Sequence, residues 1–132
     1  MQPNTVEFQN DPNTLLRSGP HMPVQIGGRS VMALLDTGAG KSCIDLTIAR
    51  LFKLSESGKP QPVSGATSNG MFPQFAIDAR IPLLDTPIPP RVLGLPLLRN
   101  NFAFPFIIGR DILCLYRMTV NGRTGLIQFV WA

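Results

Sequence analysis

Strong metal ligands are scarce in this chain. Histidine occurs once, at His21, and cysteine twice, at Cys43 and Cys114, with neither metal nor redox spacing between them. A zinc centre built by one chain is excluded on ligand count, and buried free thiols are the expected state of both cysteines. Charge is also sparse: 15% of residues are charged, and the 12 Lys and Arg against 8 Asp and Glu leave a net charge of +4. The basic residues are scattered, without runs or interleaved aromatics, so a solvated surface is expected and a nucleic-acid partner is not. No apolar run approaches membrane-spanning length, and no membrane partner is expected. Met1 to Glu7 shows neither a basic segment nor an apolar one of the kind that directs secretion. A soluble, non-secreted (cytoplasmic) protein is therefore expected, or one released from a polyprotein.

Proline and glycine, by contrast, are plentiful. Thirteen Pro and twelve Gly in 132 residues interrupt the chain too often for long helices, while 44% hydrophobic residues supply a core. Short strands joined by turns are the expected outcome, so the class is all-β in one domain. Residues 1 to 22 are polar and turn-rich and read as a flexible leader or pro-segment, part of which can dock as an edge strand. The folded domain is expected over 23 to 132.

Within that domain the pattern is specific. Val24-Gln25-Ile26 alternates, Gly27-Gly28 signals a hairpin, and Arg29 to Leu35 resumes as a strand that delivers Asp36-Thr37-Gly38-Ala39 to a tight turn. Lys41 to Ile44 reads as a short strand, and Asp45 as the N-cap of a short helix with Ile48, Leu51 and Phe52 on one face. Val63 to Phe72 reads as a hairpin with a small, flexible tip, and Phe75 to Ile81 as one alternating strand. Residues 82 to 105 are rich in proline, with one strand expected at Val92 to Leu95. Phe102 to Ile108 is apolar, Asp111 opens a helix reaching about Tyr116, and Asn121-Gly122 signals a closing hairpin.

Asp36-Thr37-Gly38 occurs once. Hydrolysis by carboxylates needs one group ionised, to take a proton from water, and another protonated, to donate one; two adjacent carboxylates sharing a proton meet both needs. A chain with one such turn can complete the pair by meeting a copy of itself about a two-fold axis. A symmetric homodimer is therefore expected. Leu83-Leu84-Asp85-Thr86-Pro87 imitates the motif, but Pro87 cannot replace Gly38, because its ring fixes φ and fills space that a substrate backbone needs. Asp85 is accordingly read as a surface-turn residue.

Three segments in order, Leu34-Leu35-Asp36-Thr37-Gly38-Ala39, Val63-Ser64-Gly65-Ala66-Thr67 and Phe106-Ile107-Ile108-Gly109-Arg110-Asp111, resemble the retropepsins, the single-domain aspartic proteases of retroviruses and their relatives. The resemblance spans roughly residues 23 to 131. It implies an acid-protease half, a closed β-barrel with one or two short helices, active as a homodimer on a polypeptide held in extended form, without metal or other cofactor. It makes Asp36 the catalytic carboxylate, with Thr37 tying the two active-site turns together across the dimer axis and Gly38 binding substrate backbone. Ala39, Pro105 and Ile107 would contact substrate, and Ala66, Thr67, Ser68 and Asn69 would form the flap tip above it. Ile108, Gly109 and Arg110 would support the turn. The resemblance also implies an acidic partner for Arg110 just after the turn. Gly40 and Lys41 stand there instead, leaving Asp45, Asp78 or a group on the other subunit as partners to seek. A rival reading keeps the fold without turnover, as a module that dimerises or binds peptide.

Overall fold

The computed structural model describes residues 4–65 and 68–131. Among the described residues thirteen strands and three short α-helices follow one another: β1 (Thr5–Gln9), α1 (Pro12–Ser18), β2 (His21–Ile26), β3 (Arg29–Leu35), β4 (Cys43–Asp45), α2 (Leu46–Leu51), β5 (Gln61–Ser64), β6 (Asn69–Phe72), β7 (Gln74–Ala76), β8 (Ala79–Ile81), β9 (Thr86–Pro87), β10 (Arg91–Leu95), β11 (Phe106–Ile108), α3 (Arg110–Leu113), β12 (Tyr116–Val120) and β13 (Leu126–Trp131). The mostly-β expectation holds. Eight strands form one curled half-barrel sheet in the order β7-β10-β4-β11-β3-β2-β8-β9. A second sheet runs β1-β13-β12, and β5-β6 stand as a separate hairpin. Among the described residues no helix is long and apolar enough to cross a membrane.

Side chains on a strand alternate between its two faces, and here that period separates a core from a cleft. In the central strands Ala33, Leu35, Ile44, Phe106 and Ile108 are buried in the main cluster, together with Met22 and Val24. Their neighbours in sequence, Cys43 and Ile107, face the other way and join Leu93, Leu95 and Leu97 in a smaller cluster, against which Leu34, Ala39, Val63, Phe72 and Phe102 pack. The register is continuous across this centre: Ala33, Leu34 and Leu35 pair in parallel with Phe106, Ile107 and Ile108. β11 pairs in turn with β4.

The segment read as a flexible leader carries structure. β1 pairs with β13 over its whole length, from Thr5 opposite Val130 to Gln9 opposite Leu126. Asp11 caps α1 by accepting from the Thr14 N–H at 3.0 Å, Pro12 occupies the first turn, and Leu15 is buried. Apolar Val6 and Phe8, spaced by two, pack on the core, a pattern too short to stand out by itself. This adds α1 to the one or two helices expected.

Other differences are local. Phe75 to Ile81 keeps its alternation, with Phe75, Ile77, Ala79 and Ile81 all buried, yet it divides into β7 and β8. β7 pairs with β10 at one end of the sheet, and β8 with β2 and β9 at the other, so residues 77–78 cross between sheet edges. In α2 the buried residue is Ala49, and Leu51 is 64% exposed. The closing hairpin turns on Gly125 rather than Gly122: Gly125 takes φ +82°, and the Asn121 side chain accepts from the Arg123 and Thr124 N–H groups. Cys114, expected to be buried, is exposed, while Cys43 is buried; both thiols are free.

Candidate active site

Asp36 follows directly from β3, and its backbone N–H donates to the Ile108 carbonyl at 3.0 Å, extending the parallel β3-β11 pairing into the turn. The turn closes with the Ala39 N–H on the Asp36 carbonyl at 3.2 Å. One carboxylate oxygen, Oδ1, accepts from the Gly38 N–H at 2.8 Å, which fixes the side chain's orientation while leaving it half-buried at the mouth of the cleft. A Cβ at Gly38 would stand 3.0 Å from that same oxygen, so only glycine fits without displacing it.

The segment after β11 clasps the turn from beneath. The Arg110 N–H donates to the Ala39 carbonyl at 2.8 Å, and the Arg110 guanidinium donates to the Thr37 carbonyl at 2.8 Å. Gly109 is wedged against backbone: a Cβ there would meet the Ala39 oxygen at 2.8 Å and the Lys41 carbonyl carbon at 2.8 Å. Buried Ser42 completes the clasp. Its Oγ donates to the Asp111 carboxylate at 2.7 Å and accepts from the Gly109 N–H at 3.1 Å, and its own N–H donates to Asp111 at 2.9 Å.

Arg110 therefore rests on a carbonyl where a carboxylate was sought. Asp45 is occupied elsewhere, accepting from the Ile48 N–H at 3.1 Å and the Leu98 N–H at 3.0 Å. Asp78 lines hollows beside Gly27, away from the turn. Asp85 sits in a left-handed turn, 86% exposed and ion-paired with Arg80, as its surface-turn reading requires.

Above Asp36 lies a cleft of about 480 Å³. Its floor and walls are mainly apolar, from Cys43, Val63, Leu93, Leu95, Leu97, Phe102 and Ile107, and the β5-β6 hairpin contributes Pro62 to Gly65 and Ser68. Asp36 is the sole carboxylate among the lining residues, and Lys41 the sole cation. Of the residues singled out from sequence, Asp36, Gly38, Ala39, Ser68 and Ile107 line the cleft; Ile108, Gly109 and Arg110 lie behind the turn. Thr37 is exposed beside the cleft, with its carbonyl engaged by Arg110. Asn69 is exposed and lies outside the lining; Pro105, half-buried, is also outside it, and its carbonyl accepts from the Asp45 N–H at 2.8 Å. Ala66 and Thr67 lie outside the described residues.

Sequence reading missed Ser42 as the link between the two halves of the site, since no spacing rule joins it to Asp111. It also missed the walls supplied by Leu93, Leu97 and Phe102. Burial pushes the Cys43 thiol up to about 12, with the Asp111 and Asp36 carboxylates adding to the shift. Cys43 is thus a neutral wall of the cleft. Among the described residues no group of three His, Cys, Asp or Glu is placed to hold a metal ion.

The aspartyl protease family profile matches residues 22–81, a stretch that takes in the β2-β3 hairpin, the Asp36 turn and the β5-β6 hairpin. Among solved structures the chain is similar to EIAV protease complexed with the inhibitor HBY-793, with a TM-score of 0.57 and 23% identity over 72% of this chain and 85% of that one. No curated protein matches it. The chain thus carries an aspartyl protease signature over residues 22–81 within a fold similar to that of a retroviral protease.

Proposed function

We propose that the chain is an aspartic endopeptidase that works as a symmetric homodimer, hydrolysing peptide bonds with a water held between the Asp36 carboxylates of two copies. The observation that carries this reading is Asp36 itself: an oriented, half-buried carboxylate at the mouth of an apolar cleft that contains no second acid. The ionised member of the pair takes a proton from the attacking water, and the protonated member donates to the carbonyl oxygen. The substrate lies extended between the turn and the β5-β6 hairpin, bound as an added strand whose alternate side chains enter the apolar walls. Asp36→Asn removes the charge with little change in shape; it should abolish cleavage of a peptide library while circular dichroism and unfolding midpoint stay near wild type. Undiminished cleavage by that variant rules the reading out.

A second reading, a module that binds peptide or dimerises without turnover, is favoured by one observation: Arg110 braces the turn through the Thr37 carbonyl rather than through a carboxylate. Library digestion by the unaltered chain, with an active-site-directed aspartic protease inhibitor as control, separates the two.

A further inference from the structure

The cleft contains one cation without an ion-pair partner. Lys41 lies five residues beyond Asp36, where the chain leaves the turn for β4. It is exposed, it lines the cleft, and among the described residues the one salt bridge is the remote Arg80–Asp85 pair. Its backbone is held on the C-terminal side. The Lys41 carbonyl accepts from the Cys43 Sγ at 3.2 Å, and the next residue, Ser42, is bound to Asp111 and Gly109. The stem of Lys41 therefore starts from a fixed point, while its ammonium is left to find a counter-charge from outside the chain. Neither Asp111, engaged by Ser42, nor Asp36, oriented by the Gly38 N–H, forms a salt bridge with it. The surrounding walls are apolar, so a peptide drawn into the cleft meets hydrophobic pockets and a single positive charge.

We infer that Lys41 determines specificity, selecting extended peptides that carry an Asp or Glu side chain close to their apolar centre. This rests on the proposed peptide-binding role of the cleft and adds the charge class of its ligand. A peptide carboxylate that reaches Lys41 exchanges water for an ammonium partner at a partly screened site. Exposed pairs of this kind give a preference of about threefold, which weakens as salt screens it. A peptide lysine at the same place meets like charge and is disfavoured, so discrimination between Glu and Lys exceeds that between Glu and Gln.

The test uses the full chain carrying Asp36→Asn, so that binding is read without turnover. Short fluorescent peptides with a common apolar centre carry Glu, Gln or Lys at each flanking position in turn, and affinity is measured by fluorescence anisotropy at low and high salt. The expected order is Glu over Gln by about threefold, with Lys weakest. Adding Lys41→Gln should level the series, and adding Lys41→Glu should invert it; Lys53→Gln, outside the cleft lining, should leave it unchanged. Since the Lys41 side chain is exposed, both variants should unfold at the wild-type midpoint, which is checked in parallel. Equal binding of Glu and Gln peptides, a preference that survives Lys41→Gln, or no peptide binding at all overturns the inference. Cleavage of the same peptides by the chain with Asp36 intact is scored separately. Binding that follows Lys41 without turnover defeats the endopeptidase reading and leaves the assignment of Lys41 standing.

Discussion

Ser42 joins the two halves of the candidate site through a single buried hydroxyl. It accepts from the Gly109 N–H and donates to Asp111, so Ser42→Ala leaves a buried N–H without its acceptor and takes one of two donors from a carboxylate. The expected cost is about 2–3 kcal/mol in urea unfolding, with a fall in any peptidase activity as the segment behind the Asp36 turn loosens. The cysteines differ just as sharply. A maleimide should label exposed Cys114 in the native protein and reach buried Cys43 only after unfolding, as read by mass spectrometry. Because the folded protein raises the Cys43 thiol from 9.0 to about 12, the unfolded chain loses that proton first as pH rises. Stability linked to this group is complete below 9.0 and is lost between 9.0 and about 12, by about 1.4 kcal/mol per pH unit. Cys43→Ala should flatten that part of the wild-type slope in denaturant titrations at rising pH; parallel slopes would show that the thiol is not the source.

Among the elements, β1 depends on a contact that no strand propensity encodes. Gly125 holds φ +82° where the closing hairpin meets the end of β1, and the Asn10 N–H donates to its carbonyl at 2.9 Å. A Cβ there would fall 2.1 Å from the Asn10 carbonyl oxygen, a backbone atom that cannot step aside. Gly125→Ala should therefore release β1 and α1 from β13, costing about 2 kcal/mol or more and speeding proteolysis within residues 5–18. The β3-β11 pairing, which does not pass through this hairpin, should survive, so core amides of Leu34 and Ile107 are expected to keep their hydrogen-exchange protection. The elements that deliver Asp36 were legible because alternation and the Gly27-Gly28 turn agree. β1 and α1 were not, since five residues of weak alternation gain their stability only from the strand beside them.

For the whole molecule, the proposed dimer makes activity depend on concentration. Specific activity should fall on dilution through the dimer dissociation constant, in step with the mass seen by light scattering. Excess Asp36→Asn chain, added to a fixed amount of unaltered chain, should suppress cleavage by drawing it into mixed dimers with one functional carboxylate. Activity proportional to concentration and indifferent to the variant would show that the second carboxylate does not come from a copy of the chain.

The amino-acid sequence by itself determined the strand that carries Asp36, the turn that needs Gly38, the apolar Ile107-Ile108 pair beside it and the exclusion of Asp85, because each follows from local sterics or from a period of two. Only the tertiary structure decided that Ser42 clasps Asp111, that Arg110 rests on the Thr37 carbonyl, that Leu93 and Leu97 wall the cleft and that Lys41 stands alone in it. These are meetings of residues far apart in the chain, fixed by sheet order and register, and no local preference of either partner specifies the other.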